Sequence, residues 1–245
     1  GEHVEAGYAT TSYATHHRHS CIGARAGFGD LLIGAGALVS AANGLDPERH
    51  GHVRDAMVEL ITITEGFYAC GVAASVYGVH DGSGVIMPEP VFSNIGKLLL
   101  ATKIYDMHRL AHYLSGGMIV ALPGPDEDHN PETAASLSEV LRGRDDIPAA
   151  RRLDVARLIE DLTASNQGGW YSVISLHGGG SPEAMKREIW RNYPVPERVE
   201  LVSRLLDRGL LPEDRRASKQ PGRCCAEGCT VPEPSGSFGC TKAAE

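Results

Sequence analysis

The chain has 245 residues, 42% of them apolar, and a formal net charge of −8. That suffices for one large domain or two small ones with a sizeable core. The acidic balance argues against a nucleic-acid partner, because neutralising phosphates takes a concentrated basic surface. No unbroken apolar run approaches the roughly 18–20 residues that span a bilayer, so no membrane partner is expected. The start, Gly-Glu-His-Val-Glu, has neither a basic nor an apolar leader region. Nor does it begin with Met, which suggests a fragment. Of six cysteines, Cys21 and Cys70 lie in the body, and Cys224, Cys225, Cys229 and Cys240 crowd the end. That spread is unlike a secreted disulfide framework and fits a reducing, cytoplasmic location.

Residues 1–19 lack clear periodicity and read as an irregular segment. A helix starts near Ser20, a capping residue, and runs to Asn43-Gly44, a C-terminal stop signal. It is rich in Gly and Ala. Gly23, Gly27 and Gly34 share a face where another backbone or a ligand should come close, since each interior glycine costs about 1 kcal/mol relative to Ala.

A second helix covers about 48–78, with Val53, Met57, Leu60, Ile61, Thr64, Tyr68 and Gly71 at helical spacing. Gly82-Ser83-Gly84 and two prolines mark a loop. A third helix, about 90–115, carries Leu100, Ile104, Met107, Ala111 and Leu114 on one stripe. After a Pro/Gly/Asp-rich connection at 123–131, a short helix covers 132–142 and a longer one 148–167. Ser181 caps a further helix that has Pro182 at its first position and ends near Tyr193. A last amphipathic helix covers about 196–209. Residues 212–245 read as an extended or disordered tail. With no convincing β alternation, the fold class is all-α: an antiparallel bundle over 20–211.

Five stretches could carry chemistry. His16, His17, His19 and Cys21 offer nitrogen and sulfur donors suited to zinc or iron. The same stretch also fits a polar helix start or another active-site role. His177-Gly178-Gly179-Gly180-Ser181-Pro182 frees backbone N–H groups beside a helix N-terminus, which makes an anion cradle or a glycine hinge. It is also a hydrolase oxyanion-loop pattern, but no Gly-x-Ser-x-Gly elbow accompanies it. Asn166-Gln167-Gly168-Gly169-Trp170-Tyr171 could line a flat cofactor or belong to a core or interface. Glu65 sits in an apolar helix and would be partnered there or have a raised pKa. The terminal cysteines Cys224, Cys225, Cys229 and Cys240 could hold a metal, or form a redox-labile tail.

Taken in order, His17-Arg18-His19-Ser20, Ala41-Ala42-Asn43-Gly44, Glu65 to Gly71, Gly116 to Pro123 and Ser175 to Pro182 form a specific set. Over about residues 10–210 it resembles the C-terminal region of the family uniting 4-hydroxyphenylacetate 3-hydroxylase with 4-hydroxybutyryl-CoA dehydratase. The resemblance implies an acyl-CoA dehydrogenase-like fold. This chain would supply the C-terminal bundle, FAD would lie between it and a middle β domain, and the protein would form tetramers.

In the dehydratase branch the residue matching His17 ligates a [4Fe-4S] cluster. A Tyr matches Cys21, a further ligand Cys matches Ala24, and a catalytic Glu matches Ile174. Those three departures argue against the cluster mechanism here. In the hydroxylase branch the His-Gly-Gly-Gly stretch contacts FAD, which gives Leu176, His177, Gly178, Gly179 and Gly180 as cofactor-binding residues. The resulting expectation is a flavin-dependent monooxygenase, with His17 or Arg18 orienting an aromatic or acyl-CoA substrate and a flavin reductase as a partner. The alternatives are a dehydratase or isomerase with altered [4Fe-4S] ligands, and a non-catalytic assembly or metal-binding module.

Overall fold

The computed structural model describes residues 1–206, so the four terminal cysteines lie outside the described residues. The chain divides into a unit of Gly1–Arg198 and a second unit from Val199 onward. The first unit is helical apart from one short hairpin. Helix α1 spans His3–Ala42, α2 Gly51–Val76, α3 Pro90–Leu114, α4 Ala134–Val140, α5 Ala149–Thr163, α6 Asn166–His177, α7 Pro182–Asn192 and α8 Val195–Leu206. Strands β1, Val79–His80, and β2, Ile86–Met87, pair antiparallel across a turn with Gly82 and Gly84 at φ 90° and 93°. Two 3₁₀ turns, Met118–Ala121 and Pro125–His129, lead from α3 toward α4.

The helix ends follow local chemistry. Gly44 at φ 76° terminates α1. The Glu89 side chain accepts from the Phe92 N–H at 2.7 Å, with Pro90 opening α3. Ser181 caps α7 ahead of Pro182 in the same way. Ile22, Leu32 and Val39 of α1 meet Leu60 and Phe67 of α2, Leu100, Ile104 and Met107 of α3, and Ile159 of α5, all fully buried. Each such side chain contributes about 1.5–3 kcal/mol through apolar burial.

Several expectations are corrected. Residues 3–19 are helical rather than irregular, and α1 runs unbroken for 40 residues, about 60 Å at 1.5 Å per residue. Its first turns are mostly exposed, so they carry no core periodicity to read. Thr10, Thr11 and Thr15 donate back to carbonyls four residues earlier. Helix α6 is an element the sequence does not announce, because Gly168 and Gly169 open it. The Ser165 hydroxyl accepts from the Gly168 N–H and restores the start. A Cβ at Gly168 would stand 2.9 Å from the Leu162 carbonyl, so the tight α5–α6 corner requires glycine there.

Close helix packing falls at Gly29 and Gly36, not at Gly23, Gly27 and Gly34, where a Cβ would meet nothing within 4 Å. Glu65 is exposed on α2 rather than buried. Ile61 and Tyr68 also face outward, 41% and 45% exposed. Helices α1 and α2 each contain an 18-residue window of mean hydropathy 1.4 and 1.3, enough by length and composition to cross a membrane. Charged residues interrupt those windows, so counting unbroken runs missed them. Half of the α1 window and a third of the α2 window are buried inside the bundle.

Candidate functional site

Helix α1 presents His17, Arg18, Cys21, Ala24 and Arg25 toward the C-terminal half of α6 and the loop that follows it. A helix leaves its last four carbonyls without intrahelical partners. At the end of α6 cations from other helices satisfy such groups. The Lys97 ammonium on α3 donates to the Ser175 carbonyl, and Arg18 Nε donates to the Gly179 carbonyl in the following loop at 2.8 Å. Positive charge is favoured at a helix C-terminus.

Ser175 joins the cluster twice. Its hydroxyl accepts from Arg25 Nε at 2.7 Å and donates to the Tyr171 carbonyl at 2.7 Å. The Arg25 guanidinium carbon lies 3.8 Å from the centroid of the Tyr171 ring, a cation–π contact. Arg18 Nη1 donates to Asn94 Oδ1 at 2.7 Å, and Asn94 in turn donates to the Pro90 carbonyl. Among the described residues, no carboxylate lies within 4.0 Å of Arg18, Arg25 or Lys97.

Burial sets the electrostatics. Lys97 is fully buried, and desolvation pushes its ammonium down to about 8. Cys21 raises that value and the guanidiniums of Arg25 and Arg18 lower it. Desolvation also lowers Arg18, against the Glu188 carboxylate on α7. Lys97 is therefore charged at neutral pH, with far less reserve than a surface lysine.

The three histidines of the opening stretch point to different places. His16 Nε2 lies 2.9 Å from Met87 Sδ. His19 Nε2 meets the Gly71 carbonyl and the Ser75 hydroxyl on α2 at 3.1 and 3.0 Å. His17 Nδ1 is 3.5 Å from Cys21 Sγ. Among the described residues no group of three His, Cys, Asp or Glu side chains converges to hold a metal. His17 and Cys21 form a pair instead.

The glycine loop owes its composition to α1. Gly179 and Gly180 sit at φ 81° and 103°, and a Cβ at Gly179 would stand 2.9 Å from His17 Nδ1 and 3.2 Å from Arg18 Cγ. The Gly178 N–H donates to the Ile174 carbonyl and the Gly180 N–H to the His177 carbonyl. Two of the three glycine amides thus close the loop on itself. Leu176 is half-buried and His177 exposed. Of the aromatic pair on α6, Tyr171 joins the site against Phe28, with centroids 4.9 Å apart, while Trp170 is 59% exposed.

Beside the cluster, between α1 and the α5–α6 corner, lies a groove of about 360 Å³ lined by Ala24, Gly27, Leu31, Leu162, Gln167 and Tyr171. Sequence reasoning missed Arg25, Asn94, Lys97 and Ser175. A signal for Lys97 existed. It sits three residues before Leu100, on the stripe Leu100–Ile104–Met107, where a charge must find a buried partner.

The model of the 4-hydroxyphenylacetate 3-hydroxylase C-terminal family matches residues 6–207. The chain belongs to that family. It is 28% identical over 210 residues to 4-hydroxybutyryl-CoA dehydratase/vinylacetyl-CoA-Δ-isomerase of Clostridium aminobutyricum, covering 82% of this chain and 42% of that protein. An oxygen-tolerant archaeal 4-hydroxybutyryl-CoA dehydratase from N. maritimus superposes with TM-score 0.75 at 30% identity, covering 83% of this chain and 40% of that one. The oxygenase component of 4-hydroxyphenylacetate 3-monooxygenase, solved with FAD and 4-hydroxyphenylacetate, superposes with TM-score 0.73 at 20% identity. That likeness covers 82% of this chain and 42% of the oxygenase, and it shows the shared fold. The chain thus spans about two fifths of the length of the proteins it matches, and its bundle has their acyl-CoA dehydrogenase-like fold.

Proposed function

We propose that this chain is the C-terminal bundle of a flavin-dependent oxidoreductase, a monooxygenase of the 4-hydroxyphenylacetate 3-hydroxylase type. The observation that carries the reading is the pair Ala24 and Ile174. The resemblance to the dehydratase branch implies a cluster ligand and a catalytic carboxylate at those places. Here Ala24 lines the groove without a donor atom, and Ile174 offers only a carbonyl, already bonded to Gly178. FAD is supported by the oxygenase of the same fold, which was solved with FAD. The Gly178–Gly180 loop is packed on His17 and Arg18 of α1, with its Gly178 and Gly180 amides bonded within the loop, so the flavin would be held by other parts of this surface. Bound flavin would supply electrons for oxygen chemistry.

This chain's own residues divide the remaining work. Arg18, 4% exposed and held at both Nε and Nη1, fixes the loop against α1. When the Cys21 thiol donates to His17 Nδ1, the neutral ring carries its proton on Nε2, where it can donate to a substrate oxygen. Tyr171, Phe28 and Leu162 keep water from one side of the groove. A flavin reductase delivering reduced flavin belongs to this reading, as does self-association through the exposed α2 stripe of Val58, Ile61, Tyr68, Val72 and Val76.

The test is oxygen uptake by the protein expressed from its full reading frame, given reduced FAD and a panel of phenols. Faster flavin reoxidation with one phenol, coupled to a hydroxylated product, is expected. Protein that never retains flavin contradicts the reading. A second reading, an acyl-CoA dehydratase or isomerase, is supported by the higher identities of 28% and 30% to dehydratases. Conversion of 4-hydroxybutyryl-CoA under anaerobic conditions would establish it.

A further inference from the structure

We propose that the His108–His112 pair on α3 is a binding site for a divalent transition-metal ion, apart from the α1–α6 cluster and independent of the flavin reading. His108-Arg109-Leu110-Ala111-His112 sets two imidazoles one helical turn apart on the same face of α3. Both rings line a cavity of about 550 Å³, together with Tyr105 of α3, Thr163 at the end of α5, and Gly169 and Ser172 of α6.

The hydroxyls around the pair decide which ring nitrogens are free. The Ser172 hydroxyl donates to the Gly168 carbonyl at 2.7 Å, and the Thr163 hydroxyl donates to the Ile159 carbonyl. Each hydroxyl has a single proton, so toward the histidines it can only accept. His108 Nε2 therefore donates to Ser172 Oγ at 3.4 Å, and His112 Nε2 to Thr163 Oγ1 at 2.7 Å. Burial keeps both rings neutral at pH 7. A neutral ring with its proton on Nε2 has an open lone pair on Nδ1. Among the described residues the sealed polar side-chain atoms without a partner are Ser40 Oγ and Thr64 Oγ1. Neither Nδ1 is one of them and neither has a partner, so both reach open space at the cavity.

Neutral imidazoles suit zinc, copper and nickel. A second ring nitrogen donating to a fixed acceptor is the arrangement that orients such ligands. Water completes the coordination shell, since among the described residues no third His, Cys, Asp or Glu converges here. Arg109 also lines the cavity, but Glu59 at 3.1 Å and Asp106 at 3.9 Å offset its charge toward a cation. The residue after the first histidine is Arg, where hydrolytic zinc helices have Glu, so the ion has no general base beside it. Its role is structural: it fixes the two rings against the hydroxyls of α5 and α6.

Titration calorimetry with nickel chloride tests the site, on protein expressed from its full reading frame with its thiols alkylated so that cysteines do not compete. Circular dichroism in EDTA establishes that each variant is folded. One ion bound through the pair is expected in the wild type. Thr163→Val keeps the side-chain shape but removes the acceptor, and should weaken binding about 10–100-fold. His112→Gln should abolish it, and the double variant His16→Gln, His19→Gln should leave it unchanged. Nickel should also raise the melting temperature of the wild type and not that of His112→Gln. No binding by the wild type, or equal binding by wild type, Thr163→Val and His112→Gln, overturns the site. Binding lost in the His16→Gln, His19→Gln protein but kept in His112→Gln overturns it too, and places the ion on α1.

Discussion

At Gly179 one hydrogen atom in place of a side chain decides whether the loop can lie on α1. Its φ of 81° disfavours any Cβ, and the space a Cβ would take is already filled by His17 and Arg18. Gly179→Ala is expected to cost about 1–3 kcal/mol in stability by chemical denaturation, and to lower flavin affinity by shifting the loop. Unchanged stability would show that the loop is free to move away from α1. His108 shows a different residue-level effect. It is 6% exposed, between the Phe28 and Tyr105 rings and near the Ser172 hydroxyl, and burial, aided by His112, pushes it down to about 4.

Because the folded value lies below the ordinary 6.5, His108 favours folding fully above pH 6.5. That contribution is lost as pH falls from 6.5 toward 4, by at most about 3 kcal/mol. Unfolding midpoints measured across this range should fall for the wild type and stay flatter for His108→Gln. Neither effect was legible in the sequence. The Gly179 contact joins residues 161 positions apart from Arg18, and His108 differs from an exposed histidine only through its surroundings.

Along α1 two glycine faces do opposite things. Gly29 lies against Thr64 of α2, where a Cβ would stand 2.4 Å from its methyl and hydroxyl, and Gly36 lies against Leu114 of α3. Gly34 faces open space. Gly29→Ala should therefore destabilise by about 1–3 kcal/mol through overpacking. Gly34→Ala should stabilise by about 0.5–1 kcal/mol through helix propensity. Paired denaturation curves check both, and equal effects would mean that α1 and α2 are not closely packed. The glycine content of α1 predicts that something approaches closely. It misassigned the face, because α1 begins seventeen residues before Ser20 and the register of its inward stripe could not be counted from a misplaced start. Helices with strong caps and apolar stripes, α3 and α7, were readable to within one residue. Helix α6 was not, because glycine propensity argues against it, and the Ser165 cap together with packing on α3 and α5 overrides that.

For the molecule as a whole, the ordered motifs were more informative than any one of them. The stretch around His17, the Ala-Ala-Asn-Gly stop and the Ser175–Pro182 run lie far apart in the chain, yet the first and last meet in space through Arg18 and Gly179. That convergence explains why their order identified the family, and the match over residues 6–207 agrees with it. The division between oxygenase and dehydratase chemistry rests on fewer atoms: Cys21 against His17, Ala24 in the groove wall and Ile174 at the end of α6. Ala24 and Ile174 lack the donor groups that the resemblance assigns to an iron–sulfur enzyme at those places, while His17, which it assigns as a ligand, is kept. The decisive measurement is the flavin, iron and sulfide content of the protein expressed from its full reading frame and purified without oxygen. Stoichiometric FAD with no acid-labile sulfide is the expected result. Stoichiometric iron and sulfide that disappear on His17→Ala would contradict the account.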